Sequence, residues 1–272
     1  KPDGKKIKKI QKTLERNPEL FSYIKEFFEN YEIPEINKIA VTIGPGLEPC
    51  LWTGVNLAKA LSIYWELPVI GVNHLEGHIL SNWLAPIDKV SFPAMSLIVS
   101  GGNTQIILMK NIGEYELIGE TRDDAAGECF DKTARILGLS YPGGPNISRQ
   151  SDKFTKDKKD EFNISLPRPM IHDKNYDFSF SGLKTAVLYD FQKRAKKDRE
   201  SSQYIQEMSY KIEQAIINVL IFKAMKAARD FKVKSVIIGG GVSANKKLIR
   251  ELKKECRKDK LAFFSPLPAF SG

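Results

Sequence analysis

Ala94-Met-Ser-Leu-Ile-Val-Ser-Gly-Gly-Asn-Thr-Gln-Ile-Ile-Leu-Met109 is an apolar run, a glycine turn and a second apolar run. It predicts strands at Ala94 to Val99 and Gln105 to Met109, and Tyr115 to Gly119 adds a third close behind. Helical spacing then takes over, at Ala125 to Leu137, Gly182 to Arg194 and Ser202 to Phe231, the last with Ile205, Met208, Ile212, Ile216 and Val219 on one face. Ser235 to Ile238 has the pattern of a buried strand. It runs through Gly239-Gly240-Gly241 into a helix at Lys246 to Cys256, and Leu261 to Phe264 is a further strand. Toward the start of the chain, Ser81 to Pro93, with Pro86 and Pro93, marks a boundary. Before it, strands at Lys38 to Ile43 and Pro68 to Val72 flank a helix at Thr53 to Trp65. Two amphipathic helices around Asn17-Pro18 open the chain, carried by Ile7, Ile10 and Leu14 and by Leu20, Ile24, Phe27 and Phe28. The pattern is α/β, with a first lobe expected over 1–91 and a second over 92–272.

The 272 residues, 42% hydrophobic and 28% charged, supply a sizeable core and exclude a disordered tail. No stretch approaches the roughly 18 apolar residues of a membrane span, and the polybasic start lacks the apolar segment of a signal peptide. Forty-two Lys and Arg against 33 Asp and Glu leave a net charge of +9, which favours a polyanionic partner. Singly, the basic clusters at Lys5 to Lys12, Lys153 to Lys159, Lys193 to Arg199 and Lys246 to Lys260 read as solvated surface. Cys50, Cys129 and Cys256 are odd in number and widely spaced, which suits a reducing cytosol rather than a disulfide framework. The reading also expects sequence missing at both ends, because the chain begins without Met and stops straight after an apolar run.

His74-Leu-Glu-Gly-His78 sets two imidazoles one helical turn apart, the spacing for two ligands of one metal ion. Glu76 lies about 200° around the helix from His74, which excludes the metalloprotease arrangement, where the glutamate directly follows the first histidine. Three glycine turns each follow a strand: Gly44-Pro-Gly46, Ser100-Gly-Gly102 and Gly239-Gly-Gly241. Each alone is a plain turn. Together they resemble loops whose amides converge on a nucleotide, the third feeding a helix N-terminus whose dipole favours phosphate. Asp124, Glu128 and Asp131 share one helical face, either as an acidic first turn with Asp131 paired to Lys132 or Arg135, or as carboxylates for ribose or substrate hydroxyls. Ser140 to Pro145 and Phe178 to Lys184 read as turns with helix starts, the second capped by Ser181.

In combination these blocks resemble the bacterial TsaD family, a tRNA threonylcarbamoyladenosine synthase subunit formerly grouped with sialoglycoproteases. The matching segments, in the family's order, are Gly44 to Leu47, His74 to His78, Ile98 to Thr104, Asp123 to Glu128 with Phe130 to Lys132, Tyr141 to Pro145, Leu166 to Pro169, Phe178 to Thr185 and Gly239 to Asn245.

The resemblance implies an actin-like ATPase fold, ribonuclease H-like, with two lobes. It implies transfer of a threonylcarbamoyl group from threonylcarbamoyl-AMP to the N6 amine of adenosine 37 in tRNAs that read codons beginning with A. It places one divalent metal, iron or zinc, on His74 and His78, with an Asp expected beyond Gly272 as third ligand. Substrate contacts fall to Ile98, Val99, Ser100, Gly101, Gly102, Asp131, Gly144 and Asn245, with ATP or ADP in the same cleft. The implied partners are tRNA, a paralogous TsaB-like scaffold subunit and a small TsaE-like P-loop ATPase, in the cytoplasm and without a membrane. The family's histidine after Ser-Gly-Gly is Asn103 here, which donates a hydrogen bond but cannot carry a proton, and no residue is identified as general base. Two alternatives stay open: an actin-like ATPase or small-molecule kinase, and a non-catalytic scaffold paralogue.

Overall fold

A computed structural model describes residues 3–32, 34–84, 90–154 and 160–270. The chain forms two compact units, Lys1–Gly77 and His78–Gly272.

In the first unit, α1 (Gly4–Thr13) and α2 (Pro18–Asn30) bury Ile10, Leu14, Ile24 and Phe28 against α3 (Glu48–Trp65). The Phe28 ring stacks on Tyr64 at 3.7 Å between centroids. The helix α3 starts at Glu48 rather than Thr53, because Pro49 sits in its first turn, where a missing N–H costs nothing. Strands β1 (Ile39–Gly44) and β2 (Val69–Asn73) pair in parallel, the strand–helix–strand unit expected.

Helix α4 (His74–Leu80) follows directly, its first turn capped by Asn73, whose Oδ1 accepts from Leu75 N at 2.8 Å. Its last residues belong to the second unit. There Asn82 donates to the Ile238 carbonyl at 3.1 Å, tying this segment to the main sheet, whereas the boundary read from sequence lies at 91/92.

The second unit is built on a five-stranded mixed sheet in the order β5-β4-β3-β6-β7, where β3 is Ala94–Val99, β4 Thr104–Asn111, β5 Glu114–Glu120, β6 Ser235–Gly239 and β7 Ala262–Phe264. The first three strands form the antiparallel meander read from sequence, while β6 and β7 join in parallel. Every residue of β3 and β6 is buried, and one face of both strands packs against the helices of this unit through Met95, Leu97, Val99, Val236 and Ile238. The further helices of this unit are α5 (Ala126–Ile136), α6 (Gly143–Lys153), α7 (Ser181–Lys193), the short α8 (Lys196–Arg199), α9 (Ser202–Asp230) and α10 (Lys246–Lys258).

The 29-residue α9 is the spine of this unit, burying Met208, Ile212, Ile216, Val219 and Leu220. Where the sequence shows only a helix start at Gly143-Gly-Pro145, α6 runs on to Lys153, held by Ile147 and Ser151 packed inward rather than by propensity. The lysine-rich stretch at 153–159 falls, from 155 on, outside the described residues, as do 85–89 of the proline-marked boundary. Among the described residues no helix is long and apolar enough to cross a membrane.

Candidate functional site

Strands β3 and β6 are parallel neighbours, so both chain exits lie at the same edge of the sheet, where open α/β sheets bind ligands. The loop after β3 begins at Ser100, whose N–H donates to the Asn103 carbonyl at 2.8 Å. Its carbonyl accepts from Gly127 N at 3.2 Å, drawing the first turn of α5 against the loop. Gly127 must be glycine there, since a Cβ would lie 2.5 Å from the Ser100 oxygen. The loop after β6 turns at Gly240, makes a 3-10 turn at Gly241–Ala244 and enters α10. Asn245 caps that helix, its Oδ1 accepting from Leu248 N at 2.9 Å. A 3-10 turn and a capping side chain therefore stand between the third glycine turn and the helix dipole that the sequence reading joined directly.

Between these loops, α5 and α6 lies a cavity of about 590 Å³. Gly101, Asp131, Gly144 and Asn245, predicted from four distant segments, all line it, together with Ser148, Glu213 and Lys247. Asp131 Oδ1 accepts from Gly143 N at 2.7 Å, fixing α6 to α5. Of the two alternatives, the pairing of Asp131 with Lys132 or Arg135 does not form among the described residues. Lys132 instead bridges Asp124 at 2.6 Å and Glu128 at 2.9 Å, because residue 132 projects about 100° around the helix from residue 131. Those two ion pairs raise the Lys132 pKa well above its ordinary value.

The remaining predicted residues separate. Ile98 and Val99 are fully buried within the sheet and do not line the cavity. Ser100 Oγ accepts from Asn103 N at 3.1 Å, and neither Ser100 nor Gly102 lines the cavity. His74 and His78 lie one turn apart on α4 and are not cavity-lining residues. The pair supplies two nitrogen donors suited to zinc or iron, but among the described residues no cluster of three His, Cys, Asp or Glu completes a metal site.

Sequence reasoning missed Glu213, which is 1% exposed on α9. Its carboxylate accepts from Ser148 Oγ at 2.6 Å, Ser151 Oγ at 2.7 Å and Asn245 Nδ2 at 2.8 Å, with Lys247 Nζ at 3.5 Å. Burial pushes its pKa up, but the hydrogen bonds and the Lys247 charge outweigh burial and hold it below the ordinary value. The available signal was a glutamate beside Ile212 within the largely apolar stretch of α9. Asn245 is thereby committed on both sides, its oxygen to α10 and its amide to Glu213 and Ser148.

The cap of α7 also differs from expectation. Phe180, not Ser181, is its N-cap residue, and Asp123 reaches across to accept from Phe180 N at 2.8 Å and from Ser179 and Ser181 Oγ at 2.6 Å each. Burial raises the Asp123 pKa, and these hydrogen bonds overcome it and lower the pKa. Asp123→Ala should cost about 1–2 kcal/mol in urea unfolding, as loss of a helix cap does, and Asp123→Asn less. An unchanged midpoint in the alanine variant would refute the cross-chain cap.

The mixed sheet and the crevice at the carboxyl ends of β3 and β6 define an actin-like ATPase fold. The chain is similar in fold to the crystal structure of T. kodakarensis HypF, with a TM-score of 0.57 and 14% identity over 89% of this chain and 39% of that one. Residues 18–272 match the TsaD family, described as tRNA N6-adenosine threonylcarbamoyltransferase, and the chain belongs to that family. It is 46% identical over 221 residues to the tRNA N6-adenosine threonylcarbamoyltransferase of Bacillus subtilis strain 168, covering 81% of this chain and 61% of that one. It is 45% identical over 238 residues to the enzyme of the same name from Dictyoglomus turgidum, covering 87% and 68%. The chain thus spans about two thirds of the length of these relatives.

Proposed function

We propose that this chain transfers a threonylcarbamoyl group from threonylcarbamoyl-AMP to the N6 amine of adenosine 37 in tRNAs that read codons beginning with A. The observation that carries this is one cavity assembled from Gly101, Asp131, Gly144 and Asn245 in a chain of this family. In the step, the N6 nitrogen attacks the carbamoyl carbon and the bond from that carbon to the phosphate oxygen breaks. AMP leaves, and the amine gives up one proton.

The residues suit this substrate. Main-chain amides beside Gly101 and Gly144, open because no side chain covers them, address phosphate oxygens. Among the described residues the second carboxylate oxygen of Asp131 accepts no hydrogen bond, which leaves it to a ribose hydroxyl. Lys247, 14% exposed at the cavity wall, adds positive charge toward an anionic ligand. His74 and His78 would hold a divalent ion, iron or zinc. When bound, such an ion supplies a Lewis acid for the oxygens of the substrate. We further assign to the reaction a paralogous TsaB-like scaffold and a small TsaE-like ATPase as partners, and the cytoplasm as its place.

The test supplies threonylcarbamoyl-AMP, tRNA and the partner subunits to the full-length protein and to its His74→Ala/His78→Ala variant. About one metal per chain and modified tRNA are expected from the unsubstituted protein, with the variant losing the metal and at least about 100-fold in transfer. Unchanged adenosine modification in cells depleted of the protein would overturn the assignment. So would a metal-free protein that is inert to tRNA yet hydrolyses ATP.

A further inference from the structure

Helix α10 leaves the cavity wall at Lys246 and Lys247 and carries an asymmetric charge pattern. Leu248, Leu252 and Cys256, at i, i+4 and i+8, are buried against the core. Lys246, Arg250, Lys253, Lys254 and Arg257 are all exposed, and at about 100° per residue they fall within a sector of about 100° on the opposite side. The two glutamates, Glu251 and Glu255, lie on the flank, where Glu255 pairs with Lys258 at 2.6 Å. The five ridge cations form no salt bridge among the described residues. The ridge is about 16 Å long, with charges recurring every three or four residues, roughly 5–6 Å along the axis.

The geometry points to the outer face of α10 as the track that holds the ribose-phosphate backbone of tRNA while the target adenosine is presented at the cavity. This inference rests on the transferase reading. A narrow row of cations that begins at the cavity and runs along one helix face fits a single phosphate strand. A lipid surface fits poorly, because interfacial helices insert an apolar face and that of α10 is already buried. The basic helix α1 belongs to the other unit and provides the control.

The experiment measures binding of a transcribed tRNA with an anticodon for a codon beginning with A, across a range of salt concentrations. It compares the unsubstituted protein, Arg250→Gln/Lys253→Gln/Lys254→Gln/Arg257→Gln, and Lys5→Gln/Lys8→Gln/Lys9→Gln/Lys12→Gln, each in complex with its partner subunits. All substituted side chains are exposed, and thermal unfolding checks that each variant folds. The α10 variant should bind at least about tenfold more weakly at 0.1 M salt, with the slope of log K against log salt reduced by about 3, while its affinity for an adenylate analogue is kept. An α10 variant with unchanged affinity and slope overturns the track. An equal loss in the α1 variant also overturns it, since net charge alone then accounts for the effect. Vesicles containing phosphatidylserine that bind the unsubstituted protein but not the α10 variant, with tRNA binding intact, assign the ridge to lipid and overturn it likewise. Failure of the unsubstituted complex to bind tRNA at all strikes the transferase reading instead.

Discussion

Replacing Glu213 by leucine should remove roughly 3 kcal/mol of unfolding free energy and loosen the cavity it underlies. The carboxylate holds together three elements that are remote in sequence: Ser148 and Ser151 of α6, Asn245 before α10, and α9 itself. Leucine fills a similar volume but leaves the buried Ser151 hydroxyl without its acceptor and takes one acceptor each from Ser148, Asn245 and Lys247 at the cavity wall, and a stranded buried polar group costs more than the lost bond is worth. Affinity for an adenylate analogue should fall together with stability, because Ser148 and Asn245 both line the cavity. Glu213→Gln keeps one acceptor and turns an NH2 toward its donors, so an intermediate loss of about 1–2 kcal/mol is expected.

The pH dependence has a definite sign. The folded pKa of Glu213 lies below its ordinary value of 4.5, so its contribution to stability is fully present above that value and is lost as pH falls through the folded pKa. The stability gap between the unsubstituted protein and Glu213→Gln should therefore shrink on acidification below pH 4.5. Urea midpoints from pH 7 downward measure it. A gap that widens on acidification, or a leucine variant as stable as the original, would contradict the network.

Gly240→Ala should be comparably damaging for a different reason. Gly240 has φ 88° and ψ 162°, a conformation only glycine adopts without strain. A Cβ there would also overlap the Val99 carbonyl, where the loop from β6 crosses the end of β3. Strain and overlap together should cost about 3–5 kcal/mol, a fall of about 10 °C in Tm for a unit of this size. The displaced loop carries Gly241 and Asn245, so adenylate binding should weaken as well. Alanine accepted with under 1 kcal/mol lost would mean that the crossing is not tight.

Much of the fold was legible because it is local. The meander at Ala94 to Gly119, the buried strand at Ser235 and the stripe of α9 each announce themselves within a dozen residues through periodicity and glycine. The start of α3 and the length of α6 were not legible, since the helical stripe read from sequence begins only at Thr53 and Ser140 to Pro145 reads only as a turn with a helix start. Of the cavity lining, Gly101, Asp131, Gly144 and Asn245 could be named from the family resemblance. Their convergence could not, because it depends on β3 and β6 lying side by side although 135 residues separate Val99 from Ser235.

By itself the sequence determined the α/β class, the family and the identity of the glycine, carboxylate and histidine groups, all of which are written in runs of adjacent residues. Tertiary structure alone decided how those groups are used. It gave Lys132 to Asp124 and Glu128, left Asp131 to the backbone of Gly143, set Asp123 as the cap of α7, and buried Glu213 beneath the cavity. The physical reason is reach. Periodicity and propensity act within a turn or two of chain, whereas a buried carboxylate is stable only among donors that folding brings from elsewhere, and local pattern carries no record of them.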